Sequence, residues 1–317
     1  MSQVCRQDVV EARQRIAGLV ERTPLVKTAV AGRKLWLKCE CLQTGGAFKL
    51  RGATNRLLLL DEDERRRGVV AFSSGNHARG VAIAARRLGI RATIVMPADA
   101  PLVKIEGTRE EGADIVFYDR KTESREAIAA ELAATRGATV VPSFDDERIV
   151  AGQGTVGLEI LDQLAEAGEA PPQRIVVPTG GGGLASGIAL ACPDAEIVCV
   201  EPDGWDDMRR SLEGGAIVPV ASNTPPTLCD ALQTPLVSPI TFGILRERGA
   251  AAVAVSEDDA LEAVRFAWRE HQMVVEPGGA VALAALLAGK VAPADGTVAI
   301  LSGGNVDPAL HARIVAD

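Results

Sequence analysis

Short β-branched runs alternate with longer stretches of helical character along most of this chain. Runs at 34–38, 69–72, 93–96, 115–117, 139–141, 174–178, 196–200 and 297–301 predict strands. Helices are predicted over 48–60, 76–88, 103–111, 123–135, 154–167, 257–270 and 278–287. Apolar strands separated by helices of that length imply right-handed crossovers and mostly parallel sheets covered on both faces. Eight strands could close one barrel or form two smaller sheets. The stretch 202–255 decides, because its turn-rich text (GWDDM, EGG, SNTPPT, QTP, VSP) breaks the β/α beat that a barrel keeps to its end. The expectation is an α/β chain of two open, mostly parallel twisted sheets flanked by helices, with a cleft between them.

With 317 residues, 47% of them hydrophobic, the chain can fill two cores of ordinary size. A net charge of −8 argues against nucleic acid or a membrane surface as partner, since both are anionic. No apolar run is long enough to span a bilayer, and the start MSQVCRQDVVEARQR lacks the apolar stretch of a signal peptide. Six cysteines without a C-x-x-C pair read as reduced, mostly buried thiols of a cytoplasmic protein. His77, His271 and His311 have no second His or Cys at zinc-ligand spacing, so no catalytic zinc is expected.

Three loops carry the candidate chemistry. After the run RIVVP come Thr179, Gly180, Gly181, Gly182, Gly183 and Leu184, then residues suited to a helix. Four glycines there let bare backbone N–H groups converge on an anion at the positive end of the helix. No Lys-Ser/Thr pair follows, which excludes the nucleoside-triphosphate loop. The segment also fits G-x-G-x-x-A through Gly180, Gly182 and Ala185, with Glu201 about 20 residues on, so a dinucleotide fold stands open on this loop alone. The second loop, Ser73-Ser74-Gly75-Asn76-His77, places hydroxyls and N–H groups at a helix start, a nest suited to a carboxylate or an ordinary turn. The third, Ser302-Gly303-Gly304-Asn305, aims a hydroxyl into the crevice where open α/β sheets bind ligands. Lys49, behind Gly45, Gly46, Ala47 and Phe48, is either a solvated helix lysine or an amine whose pKa falls in an apolar pocket.

Taken in order, RTPL at 22–25, Lys38-Cys39-Glu40, Gln43, FKLRGA at 48–53, SSGNHA, the glycine loop, Glu201-Pro202, Glu276-Pro277 and SGGNVD at 302–307 resemble the fold-type II pyridoxal-phosphate family, in its serine/threonine dehydratase and serine racemase branch. A dinucleotide fold predicts neither the lysine nor SGGN. The resemblance implies a larger cofactor-binding domain of 1–45 and 146–317, a smaller mobile domain of 46–145, and a homodimer. It implies that Lys49 holds the cofactor as a Schiff base with Phe48 beside the ring. Gly180, Gly181, Gly182, Gly183 and Leu184 then take the phosphate, Asn76 the 3-oxygen, and Ser302 the pyridine nitrogen. Ser73, Ser74, Asn76 and His77 receive the substrate carboxylate, and Lys49 moves the α-proton. Ser74, on the opposite ring face, supports racemisation. The implied reaction is dehydration and deamination of serine, threonine or 3-hydroxyaspartate to a keto acid and ammonia. An amino-acid racemase stands beside it, a nicotinamide-dependent oxidoreductase and a non-catalytic cofactor carrier further off. Glu201, Asp207 and the Trp205 carbonyl resemble a divalent-cation segment suited to Mg²⁺, or an acidic turn capping a helix. Three departures stand out: Gly45 and Ala47 replace hydroxylated residues, Ala231 stands where glycine is usual, and Arg79 where glutamine is usual. Arg79 and Arg125 together could grip a second carboxylate, which points to an acidic substrate.

Overall fold

In chain order the strands are β1 (Leu25–Val30), β2 (Arg33–Cys39), β3 (Val69–Phe72), β4 (Ala92–Pro97), β5 (Asp114–Tyr118), β6 (Thr139–Val140), β7 (Arg174–Pro178), β8 (Glu196–Pro202), β9 (Ala251–Val255) and β10 (Thr297–Leu301). The structure is a computed structural model that describes residues 4–73, 75–100 and 102–316, the side chain of Val103 aside. One sheet has the order β1-β2-β10-β7-β8-β9 and the other β5-β4-β3-β6. Strands β1 and β2 pair antiparallel through a turn at Ala31 and Gly32, and every other strand pairing is parallel.

The central strands of the larger sheet are buried on both faces. Ile175 and Val177 of β7, with Val298 and Ile300 of β10, enter one apolar core. Val176, Ala299 and Leu301 point the other way into a second core, built largely on the helix Pro277–Leu287. A third core, under the smaller sheet, takes Ala71, Ile94 and Met96 with the helices Lys49–Leu58 and Asn76–Leu88. A buried ionic network joins these layers. Lys38 of β2 donates to Glu159 at 2.6 Å, and Arg51 donates to Glu159 at 2.6 Å and to both oxygens of Glu40 at 2.8 Å.

The two-sheet expectation holds, and the eight expected strands all form at or near their places. Two more exist. β1 is a half-exposed edge strand, and β9 (AAVAV) lies at the end of the turn-rich stretch, where alanines mask its strand character. The helix expected at 154–167 starts at Glu147, because the Asp146 side chain accepts from the N–H groups of Arg148 and Ile149 and caps it there. Sheet order positions the site. Although β10 comes last in the chain, it lies between β2 and β7, so the loops that follow these three parallel strands emerge side by side. No helix among the described residues is long and apolar enough to cross a membrane.

Candidate active site

Lys49 is the first residue of the helix Lys49–Leu58, and the turn before it is stapled to the loop after β10. Ala47 bridges Gly303, the Phe48 N–H donates to the Ser302 carbonyl at 3.2 Å, and the Gly304 N–H donates to the Gly46 carbonyl at 2.8 Å. Both Gly45 (φ 80°) and Gly46 (φ 75°) sit in the left-handed region, which lets the chain turn tightly enough to make these contacts. The Lys49 amine donates to the Ser143 carbonyl at 3.1 Å and lies 5.1 Å from the Phe48 ring centre. Burial brings its pKa down from 10.5 to about 8.

Facing that amine, the loop after β7 runs straight into the helix Gly183–Ala191. A Cβ on Gly181 would lie 2.3 Å from the Phe144 ring, and one on Gly183 would lie 2.5 Å from Gln153 Oε1. Gly182 adopts φ 84°. Bare backbone is therefore required, and the first turn of the helix leaves N–H groups without intrahelical partners. Ser302 is buried at the end of β10. Asn76 starts the helix Asn76–Leu88; its Nδ2 donates to Glu276 and its Oδ1 accepts from Asn305 Nδ2 at 2.8 Å. Burial raises the Glu276 carboxyl to about 7, with Lys104 opposing the shift. His77 pairs with the Val141 carbonyl at 2.9 Å, and burial, aided by the Lys49 charge, drives its pKa down to about 3, so the ring is neutral. A cavity of about 640 Å³ gathers Lys49, Phe48, Ser73, Asn76, His77, Gly180 to Gly183, Leu184 and Ser302 on one wall or another.

Over residues 16–303 the chain matches the family model described as pyridoxal-phosphate dependent enzyme. The chain belongs to this family. It is 44% identical to an L-threo-3-hydroxyaspartate ammonia-lyase of a Pseudomonas species, over 97% of each chain. It is 36% identical to a serine racemase of Schizosaccharomyces pombe, covering 98% of this chain and 96% of that one. The solved structure of maize serine racemase superposes with a TM-score of 0.91 at 35% identity, over 98% of this chain and 97% of that one.

The donor set of this pyridoxal-phosphate family member fits its cofactor. A weakly basic buried amine suits an aldehyde, glycines that a Cβ would fill leave room for phosphate at a helix start, and a hydroxyl suits a ring nitrogen. The dinucleotide reading falls with the family match. Glu201 is fully buried, and its oxygens accept from the N–H groups of Met208 at 2.9 Å and Arg209 at 2.8 Å. Asp207 is buried beside it, with neither side-chain oxygen partnered, and burial raises its carboxyl to about 7. No group of three or more His, Cys, Asp or Glu side chains forms a metal cluster among the described residues, so a cation here needs the turn's carbonyls, Trp205 included, and water.

Arg125 lines the cavity, 5.6 Å from the Phe72 ring centre and paired with Glu126 at 2.8 Å. Arg79 does not line it: Nη1 donates to Asn305 Oδ1 at 3.1 Å, behind Asn76. The two arginines thus do not converge on one carboxylate, because the side chain of Arg79 turns toward the lysine-loop side of its helix. Ser74 lies outside the described residues. Sequence reasoning gave no role to Lys104 and Asp230, which pair across the cavity, to Ser143, which holds the lysine amine, or to Glu276. Only Glu276 left a signal, as a carboxylate at the head of the otherwise apolar helix Pro277–Leu287.

Proposed function

We propose that the chain is an ammonia-lyase that converts a small β-hydroxy amino acid to a keto acid and ammonia, with 3-hydroxyaspartate as the preferred substrate. The observation that carries this reading is the buried Lys49 amine, its pKa near 8, held where the loops after β2, β7 and β10 meet. When bound, pyridoxal phosphate supplies an aldehyde carbon for the substrate amine and an electron sink for the bond broken at the α-carbon. Lys49 would hold it, Gly180 to Leu184 the phosphate, Asn76 the 3-oxygen and Ser302 the ring nitrogen. A hydroxyl partner leaves that nitrogen unprotonated, which weakens the sink and favours prompt departure of a β-leaving group.

The substrate carboxylate docks at Ser73, Ser74 and the N–H groups that open the helix Asn76–Leu88, with the helix dipole in its favour. Lys49, once free, takes the α-proton as a neutral amine. Neutral His77 adds no competing charge. Likeness to a hydroxyaspartate ammonia-lyase supports an acidic side chain. Lys104, Arg120 and Arg125 also line the cavity, each paired with a carboxylate (Asp230, Asp99 and Glu126) that a dicarboxylate substrate would have to displace. Racemisation through Ser74 is the second reading, favoured by likeness to serine racemases.

Around this chemistry we place residues 46–145 as a smaller body moving against 1–45 and 146–317. All four strands of the smaller sheet come from that span, and its Lys104 meets Asp230 of the other part. Glu201, Asp207 and the Trp205 carbonyl would hold Mg²⁺, supported by the unpartnered Asp207 oxygens. The reading includes a homodimer in the cytoplasm, where the unpaired cysteines stay reduced.

The test is ammonia and keto-acid release from 3-hydroxyaspartate, serine and threonine, with and without chelator, alongside borohydride reduction and mass mapping. Wild type should turn over the dicarboxylate best and carry the reduced label on Lys49, and Lys49→Ala should do neither. Label on another lysine, or on none, ends the reading; turnover of serine and threonine alone ends the substrate preference.

A further inference from the structure

From Arg79 through Asn305 and the cavity-lining Asn76 to Glu276 runs a hydrogen-bond relay with a fixed direction. Arg79 Nη1 donates to Asn305 Oδ1 at 3.1 Å. Asn305 Nδ2 donates at 2.8 Å to the Gly45 carbonyl and at 2.8 Å to Asn76 Oδ1. Asn76 Nδ2 then donates to Glu276 Oε1. An amide's oxygen and nitrogen are nearly alike in shape, so an isolated asparagine at this place could present either. Here the ends decide. A guanidinium has only donors, so Asn305 points its oxygen toward Arg79 and its nitrogen toward Asn76. The Asn76 oxygen then accepts, and its nitrogen faces Glu276 Oε1, which accepts whether or not a proton sits on Oε2. Turning Asn76 over would set its oxygen against the Glu276 oxygen and its nitrogen against the Asn305 nitrogen.

Bare backbone admits the relay at both ends. A Cβ on Gly303 would lie 2.2 Å from Glu276 Oε1, and one on Gly46 would lie 2.4 Å from Asn305 Oδ1. Glu276 is 2% exposed, and its Oε2 is buried with no partner. One hydrogen of Asn76 Nδ2 is engaged by Glu276, and the other remains for the cavity that Asn76 lines.

We propose that Glu276 is a positioning residue: through this relay, anchored at its far end by Arg79, it holds the Asn76 amide as a donor toward the 3-oxygen of the cofactor. The inference rests on the cofactor reading above. It gives Arg79 a place in orienting Asn76, not in binding substrate.

The experiment compares reconstituted holoenzymes by their visible spectra and by cofactor dissociation constants. Glu276→Leu, which removes the acceptor, should move intensity from the long-wavelength band that marks an ionised 3-oxygen to the short-wavelength band. It should also weaken cofactor binding about tenfold, the scale of one buried hydrogen bond. Glu276→Gln keeps an acceptor carbonyl and should restore most of both. In an Asn76→Ala background, Glu276→Leu should add no further spectral shift, because its effect passes through Asn76. An equal shift in both backgrounds overturns the proposal. Should Glu276→Leu fail to fold, Arg79→Met probes the other end and must shift the spectrum in the same direction; no shift overturns the proposal as well. Borohydride labelling of Lys49 in wild type separates the outcomes. An unlabelled lysine defeats the cofactor reading, whereas a labelled one with an unmoved variant spectrum defeats this inference alone.

Discussion

At the scale of single residues, Lys49 shows how a fold changes the chemistry of a side chain. An ordinary lysine is an ammonium at neutral pH, and an ammonium has no lone pair with which to attack an aldehyde. Burial lowers this one from 10.5 to about 8. Uptake of pyridoxal phosphate by the cofactor-free protein should therefore quicken with pH in proportion to neutral amine and level off above pH 8. At pH 6 it should run about a hundredfold below the plateau, since each pH unit below the pKa costs about tenfold in neutral amine. Stopped-flow absorbance of the protein mixed with cofactor measures this directly; a rate still climbing through pH 10 would show an unshifted lysine. The sequence singled this lysine out as a candidate through the glycine-rich turn before it and the colinear resemblance to a family. Of its two readings there, solvated or buried, the structure gives the buried one. The direction of Arg79 was not legible. Its position on a helix start was correct, but which way a long side chain runs depends on packing, here on Asn305 and Gly107 beside it.

At the scale of elements, the strand–glycine–helix unit from Arg174 to Ala191 was legible in full, because glycine runs have few structural reasons to exist. Its partners were not. Phe144 and Gln153 pack against it from a loop and a helix well before it in the chain, and no local pattern announces such contacts. They yield a prediction about Gly181. A methyl group there would lie 2.3 Å from the Phe144 ring, so either the loop or the ring must move. Overpacking of this kind costs about 1–3 kcal/mol, which corresponds to roughly ten- to hundredfold weaker cofactor binding if the loop yields. Titration of cofactor-free Gly181→Ala should show that loss, and Phe144→Leu in the same chain should recover about tenfold by making room. Equal affinity in wild type and Gly181→Ala would mean that the loop does not hold the phosphate. The same scale explains the misplaced start of the helix Glu147–Glu166. Its apolar face already begins at Ile149 and Val150, but the glycines at 152, 154 and 157 blur the helical pattern there, and the capping Asp146 sets the start.

For the whole molecule, the sequence announced two sheets through the β/α beat and its interruption, while the frame that joins them stayed hidden. That frame is ionic. Lys38 and Arg51 are fully buried against Glu40 and Glu159, and the four residues come from β2, the turn after it, and the helices Lys49–Leu58 and Glu147–Glu166. Charge patterns in sequence read as surface by default, so nothing marked these four as interior. Such a network need not stabilise the fold relative to apolar packing, but removing one member leaves charges buried and unpaired. Arg51 is the central member, with both carboxylates in its fork, and it lies two residues beyond Lys49 in the same helical turn. Arg51→Met should destabilise the protein by about 3–5 kcal/mol. The first loss should be local, because the strained turn is the one that aims the Lys49 amine. In urea titrations followed at the cofactor band and by far-ultraviolet circular dichroism, wild type should lose both signals together. Arg51→Met should release cofactor at clearly lower urea than it loses secondary structure. Arg51→Lys keeps the charge but not the planar fork that reaches two carboxylates at once, so it should recover only part of the difference. Coincident transitions in Arg51→Met would mean that the network supports the frame without reaching the lysine.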